Sequence, residues 1–209
     1  VVIAITAVAG SIGFAFHGGV VWLAALALGV GSTVGSYIGA RLLKYIPSVY
    51  LMWGFAFLLV GLAIRLIFNA SASGSGDVSS SWPALLGMAG LGIGAGLLAG
   101  LLGVGGGILV VPLLVLLFGL TAIEAKGTSL VMMIPAAVIG TWVNTKNKLV
   151  DLRAGITIGI VSAAVSYAGV AVAVVMPTIL SNILFAGLML YTATQFFIRA
   201  IRATRSVDR

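Results

Sequence analysis

The sequence predicts an all-α membrane protein. The expected fold is a polytopic helical bundle of two inverted-topology repeats, the first truncated, with a broken, re-entrant helix pair at a glycine cluster. Three observations predict it. The chain is 61% hydrophobic and 7% charged over 209 residues, with a mean hydropathy of +1.26, which leaves too little polar surface to clothe a soluble fold. Its apolar runs are continuous and about 17–23 residues long, enough for a helix to cross hydrocarbon and unlike the short alternating segments of a β-barrel. The third is Gly103-Val-Gly105-Gly106-Gly107, which interrupts one of those runs. Backbone freed at membrane depth is tolerated only against protein or a water-filled cavity.

Seven apolar segments follow one another: 1–16, 20–40, 48–68, 84–120, 127–143, 154–176 and 178–198. The first starts at Val1 without a methionine or a charged n-region, which predicts a truncated fragment rather than a signal peptide. The second ends at Arg41 and Lys44, and Pro47 separates it from the third. The Ser/Gly-rich residues 70–83 read as a flexible solvated linker between residues 1–69, the back part of a first repeat, and residues 84–209, a complete second repeat. The fourth segment is too long for one ordinary span and too short for two full ones, so it predicts two shortened helices meeting at the glycines, with a single long tilted helix and parallel repeats as the rival. Ala125-Lys-Gly-Thr-Ser-Leu130 opens the fifth, with Thr128 and Ser129 as candidate surface caps. Pro177 divides the last two.

The repeat is visible at a shift of 130 residues. That register aligns Gly10 with Gly140, Gly29 with Gly159, Ser32 with Ser162, Ser36-Tyr37 with Ser166-Tyr167, Gly39 with Gly169, and Pro47 with Pro177. Roughly a quarter of the first seventy positions match, where this biased composition alone gives about a tenth. Charge supplies the inversion. Arg41 and Lys44, Lys146, Lys148 and Arg153, and Arg199, Arg202 and Arg205 mark one side as cytoplasmic. The loop around His17, the linker and the turn at Pro177 carry no Lys or Arg and face out. Equivalent loops then lie on opposite sides. Lys126 dissents, with Glu124 beside it in sequence.

Composition also excludes chemistry. Without cysteine there are no disulfides, thiolate metal sites or Cys nucleophiles, and one His with four acidic residues leaves little for a metal site or acid–base catalysis. The expectation is a non-enzyme with no cofactor and no metal. A net charge of +7 comes from basic residues at segment ends, as orientation signals do, and not from a nucleic-acid surface. No GxxxxGK[ST] motif is present, and the glycines do not fit a dinucleotide fingerprint.

The candidate substrate-binding residues are Gly103, Gly105, Gly106 and Gly107, whose freed amides and following helix start would cradle an anion, with Thr128 and Ser129 as hydroxyl donors. Close helix packing competes with this reading, since Gly96 and Gly100 form a GxxxG pair. Candidate pathway residues are Lys126, Asn144, Tyr37 and Tyr167. Snorkelling of Lys126 to headgroups and capping by Asn144 are the structural alternatives. No acidic residue falls within a span, so no carboxylate proton relay is visible.

On residues 96–114, followed by Ala-Lys-Gly-Thr-Ser-Leu (125–130) and Leu-Val-Asp-Leu-Arg (149–153), the sequence resembles the TauE/SafE sulfite and sulfonate exporter family. The resemblance implies a duplicated multi-span permease of the cytoplasmic membrane for small sulfur-containing anions. The expected partners are such an anion and the lipid bilayer, with a homo-oligomer as an option and no nucleic acid. The first-repeat glycine motif that the family would have is missing, as if lost upstream of Val1. The expected function is secondary transport of small sulfur-containing or organic anions by alternating access. A passive anion channel and a non-transporting assembly subunit are the alternatives.

Overall fold

The computed structural model describes residues 1–42, 48–68, 82–102, 106–146 and 151–207. They form eight helices: α1 Val2–Phe16, α2 Trp22–Leu42, α3 Ser48–Phe68, α4 Trp82–Leu102, α5 Gly107–Phe118, α6 Ala122–Lys146, α7 Leu152–Val175 and α8 Thr178–Val207. No strand occurs among the described residues. Six helices are long and apolar enough to cross a membrane; α1 and α5 are shorter.

Local chemistry sets the helix boundaries. Asp151 caps α7 by accepting from the amides of Arg153 at 3.0 Å and Ala154 at 3.2 Å. The helix stops at Met176, whose extended backbone precedes Pro177. Gly119 closes α5 in a left-handed conformation, φ 66°, the usual glycine C-cap. α6 begins five residues before the expected 127, because Thr121 and Glu124 close a capping box. The Thr121 amide donates to Glu124 Oε2 at 2.9 Å, and the Glu124 amide donates to Thr121 Oγ1 at 3.2 Å. Thr128 and Ser129 are therefore inside the helix and do not cap it. Segment 84–120 is two helices, but only α5 is shortened: α4 starts at Trp82, inside the expected linker, and at 21 residues is long enough to cross a membrane.

The helices share two ends. One collects the basic residues: Arg41 in the last turn of α2, Lys146 closing α6, Arg153 opening α7, and Arg199 and Arg202 late in α8. There the Val1 amino group donates to Thr141 Oγ1 at 2.8 Å. The other end collects the turns. Gly19 lies against Ile123, and Gly127 against the Gly19 carbonyl; Lys126 reaches Ser181 at the start of α8. Arg65, in the last turn of α3, joins Lys126 as a second dissenter from the charge segregation.

α2 and α4 run parallel and make the most extensive helix pair. Gly31, Gly35 and Gly39 face the backbone of Ala89, Ile93 and Leu97, while Gly92 and Gly96 face Leu28 and Ser32. A Cβ at any of these five would overlap the opposing carbonyl, so only glycine permits the approach. Gly96, one of the Gly96/Gly100 pair read from the sequence, serves this contact, and Gly92 a turn earlier extends it. One apolar cluster joins α2, α4, α5 and α6 through Leu28, Met88, Val110, Leu114 and Met132. A second joins α3 and α8 to α5 through Phe55, Leu59, Leu109, Met189 and Phe196.

Contacts recur at the 130-residue shift. Gly29 of α2 faces Pro135 of α6, and Gly159 of α7 faces Ile5 of α1. α1 runs antiparallel to α6, bringing Gly10 to Leu130 and Val1 to Thr141. α3 runs antiparallel to α8, with the Phe55 and Phe196 rings 4.9 Å apart and edge-on.

Candidate functional site

α5 starts inside the bundle. It is 12 residues long, and Gly107, Leu109, Val110, Val111, Pro112, Leu114 and Val115 are buried. At about 1.5 Å per residue it covers roughly 18 Å, well short of a hydrocarbon core of about 30 Å. It also doubles back along α4: Gly106 lies against Ala95 and Ala99, whereas Phe118 at its far end lies against Gly87. Both the start of α4 and the end of α5 are therefore at the turn end.

Gly106 makes this reversal. Its backbone is left-handed, φ 72° and ψ −23°, as the N-cap of α5. A Cβ there would lie 2.8 Å from the Ala95 carbonyl oxygen. Conformation and space both demand glycine. The Gly106 carbonyl accepts from the Leu109 amide at 3.1 Å and the Val110 amide at 3.3 Å. The amides of Gly107 and Ile108 precede any carbonyl four residues back within the helix, so they are the donors that the helix start presents. Met133 of α6 covers Gly107, its sulfur 2.7 Å from where a Cβ would stand. Met133 is the twelfth residue of α6, and Ala95 and Ala99 are the fourteenth and eighteenth of α4, which sets the break about 17–26 Å from the turn end, within the length of both helices. Gly103 and Gly105 lie outside the described residues.

The two hydroxyls lie more than a turn of α6 nearer the turn end than Met133. Thr128 is fully buried and accepts from the Val21 amide at 3.0 Å, tying the start of α2 to α6. Ser129 is buried too and donates to the Lys126 carbonyl at 2.8 Å. The atoms that a Cβ at Gly106 or Gly107 would meet are those of Ala95, Ala99 and Met133, not these hydroxyls.

Lys126 is half-buried, the fifth residue of α6 at the turn end. Its ammonium donates to Ser181 Oγ across 55 residues of sequence. It does not pair with Glu124, whose Oε2 also accepts from Thr121 Oγ1 at 2.8 Å. Ser181 and its buried neighbour Asn182 were not among the expected residues. Only the contact across the fold singles them out, because a Ser-Asn pair after Pro177 otherwise reads as a helix start. Tyr37 stands on the outside of the bundle with the Arg41 guanidinium 4.4 Å from its ring centroid. Tyr167 is exposed on α7. Asn144 sits in the last turn of α6, and its side chain lies outside the described residues.

A family model described as Sulfite exporter TauE/SafE matches residues 1–121 and again residues 88–209. A probable membrane transporter protein of Methanocaldococcus jannaschii is 39% identical to the chain over 77 residues, which cover 34% of this chain and 29% of that protein. The match thus spans less than a third of the relative's length. No solved structure matches the chain significantly. The two family-model matches together run from Val1 to Arg209, and the chain belongs to the TauE/SafE sulfite exporter family.

Proposed function

We propose that the chain forms a secondary permease for small sulfur-containing or organic anions in the cytoplasmic membrane, working by alternating access. The observation that carries this reading is the buried start of α5. A helix N-terminus starting inside the bundle, behind a glycine that no other residue can replace, places backbone donors and a positive dipole end where hydrocarbon would otherwise allow neither. Discontinuous helices of this kind present their N-termini to anionic groups in transporters. In this reading α4 and α5 are a re-entrant hairpin, entering and leaving on the extracytoplasmic side.

The recurring contacts support two inverted repeats around that site. α1, α2 and α3 correspond to the back of α6, α7 and α8, and corresponding helices α1 and α6, and α3 and α8, run in opposite directions. Rocking of one repeat against the other would then open the site alternately to each side. Sulfite and sulfonates are the substrate class that the family name suggests.

The test is flux of radiolabelled sulfite, short alkanesulfonates and acetate into proteoliposomes holding the purified chain. Saturable uptake accelerated by the same anion on the far side supports a carrier. Uptake equal to that of protein-free vesicles for every anion would sink the permease reading for this chain.

A further inference from the structure

A second polar feature lies at the turn end, outside the glycine break. A cavity of about 230 Å³ opens between α7, α8 and the start of α6, with Lys126, Val172, Ala173, Ser181, Phe185 and Leu188 in its wall. Lys126 holds the only charge of that wall. Its ammonium has three N–H donors, and the bond to Ser181 uses one. Neither described carboxylate offsets the charge, because Glu124 closes the Thr121 capping box and Asp151 caps α7 at the basic end. An ammonium held between apolar helices without a counter-ion is costly. The rest of the wall is hydrocarbon. Val172 and Leu188 are 57% and 51% exposed, so the cavity opens sideways between α7 and α8.

We infer that this cavity is an anion site of its own, taking a monovalent oxyanion joined to a short apolar chain: a free sulfonate or carboxylate, or the head of an anionic lipid. The oxyanion accepts from Lys126 Nζ beside Ser181, and the chain covers Phe185, Val172 and Leu188. Charge supplies the attraction, and the apolar walls select against bare inorganic ions. Seven residues of α6, about 10 Å at 1.5 Å per residue, separate Lys126 from Met133 at the glycine break. The site does not depend on that break binding anything.

Binding to the purified chain in an uncharged detergent tests it, with 1-butanesulfonate by equilibrium dialysis and phosphatidylglycerol by native mass spectrometry. Losing a charge-assisted hydrogen bond should weaken binding about tenfold in Lys126→Gln, while Lys126→Arg keeps it. Ala173→Leu fills the cavity and leaves the Lys126–Ser181 bond in place, and it should weaken binding as much. Sensitivity of butanesulfonate to both substitutions identifies a soluble ligand, and the same sensitivity of phosphatidylglycerol identifies a lipid. Failure of both probes to bind, or binding that survives either Lys126→Gln or Ala173→Leu, overturns the site. Loss of vesicle flux with this binding intact would count against the permease reading and not against the cavity.

Discussion

Ser36 Oγ donates to the carbonyl oxygen of Ala136 at 3.4 Å, binding α2 to α6. Shifted by 130 residues in opposite directions, the same pair becomes Ser166 and Thr6, and Ser166 Oγ donates to the Thr6 carbonyl at 3.5 Å, binding α7 to α1. Exchanging α2 with α7 and α6 with α1 at this shift generates one bond from the other. Interhelical hydrogen bonds inside membranes average about 0.6 kcal/mol. Ser36→Ala and Ser166→Ala should each lower stability by about that amount or less, the two bonds being long. The pairs share no partner, so the double variant should show the sum. Unfolding in mixed micelles measures all three; a stabilising effect of either substitution would count against the exchange.

Gly106 and Gly119 have nearly the same left-handed backbone, φ 72° and 66°, in different surroundings. A Cβ at Gly106 meets the Ala95 carbonyl, whereas nothing lies within 4 Å of one at Gly119. Alanine at either site bears the left-handed penalty of about 1–2 kcal/mol. Only Gly106→Ala must also push α5 away from α4 and disturb the amides at the helix start. We expect Gly106→Ala to insert into the membrane and to lose anion flux by about tenfold or more, as for loss of a preorganised donor set. Gly119→Ala should lose stability and keep flux. Equal flux in the two variants would remove the glycine break from the transport site.

Much of this arrangement was legible in the residues themselves. Proline and charge placed the helix ends at Pro177 and Arg41, and glycine's poor helix propensity divided 84–120 into two helices. The start of α6 is also written in the sequence as the Thr121-x-x-Glu124 capping box, although Gly127 further on mimics a helix boundary. The partners of Thr128 and Lys126 were not readable, because Val21 and Ser181 come from distant helices that only packing brings near. A hydroxyl at a helix start is ambiguous between a cap, a ligand and a tether to another helix. At Thr128 the tether to α2 is what the structure shows.

The parallel contact of α2 with α4 depends on glycine alone. Gly35→Leu would drive a side chain into the Ile93 carbonyl and the Leu97 amide. The overpacking cost is about 1–3 kcal/mol or more. Gly54 of α3 has nothing within 4 Å of its would-be Cβ. Gly54→Ala should therefore be neutral or stabilising by up to about 1 kcal/mol through helix propensity. Paired thermal unfolding curves in one detergent compare the two. A tolerated Gly35→Leu would show that α2 and α4 are not held this closely.

The hairpin makes its own demand on topology. If α5 turns back, Gly119 must face the same side as Gly18, the left-handed glycine of the α1–α2 turn, and the side opposite Arg153 and Arg202. The chain has no cysteine, so each single-cysteine variant gives one signal with a membrane-impermeant maleimide. Gly18→Cys and Gly119→Cys should label from outside intact cells, and Arg153→Cys and Arg202→Cys only after lysis, as the basic end is retained in the cytoplasm. Labelling of Gly119→Cys together with Arg202→Cys would mean that α4 and α5 cross as one continuous unit. That result would abolish the re-entrant hairpin, and with it the buried helix start on which the anion site rests.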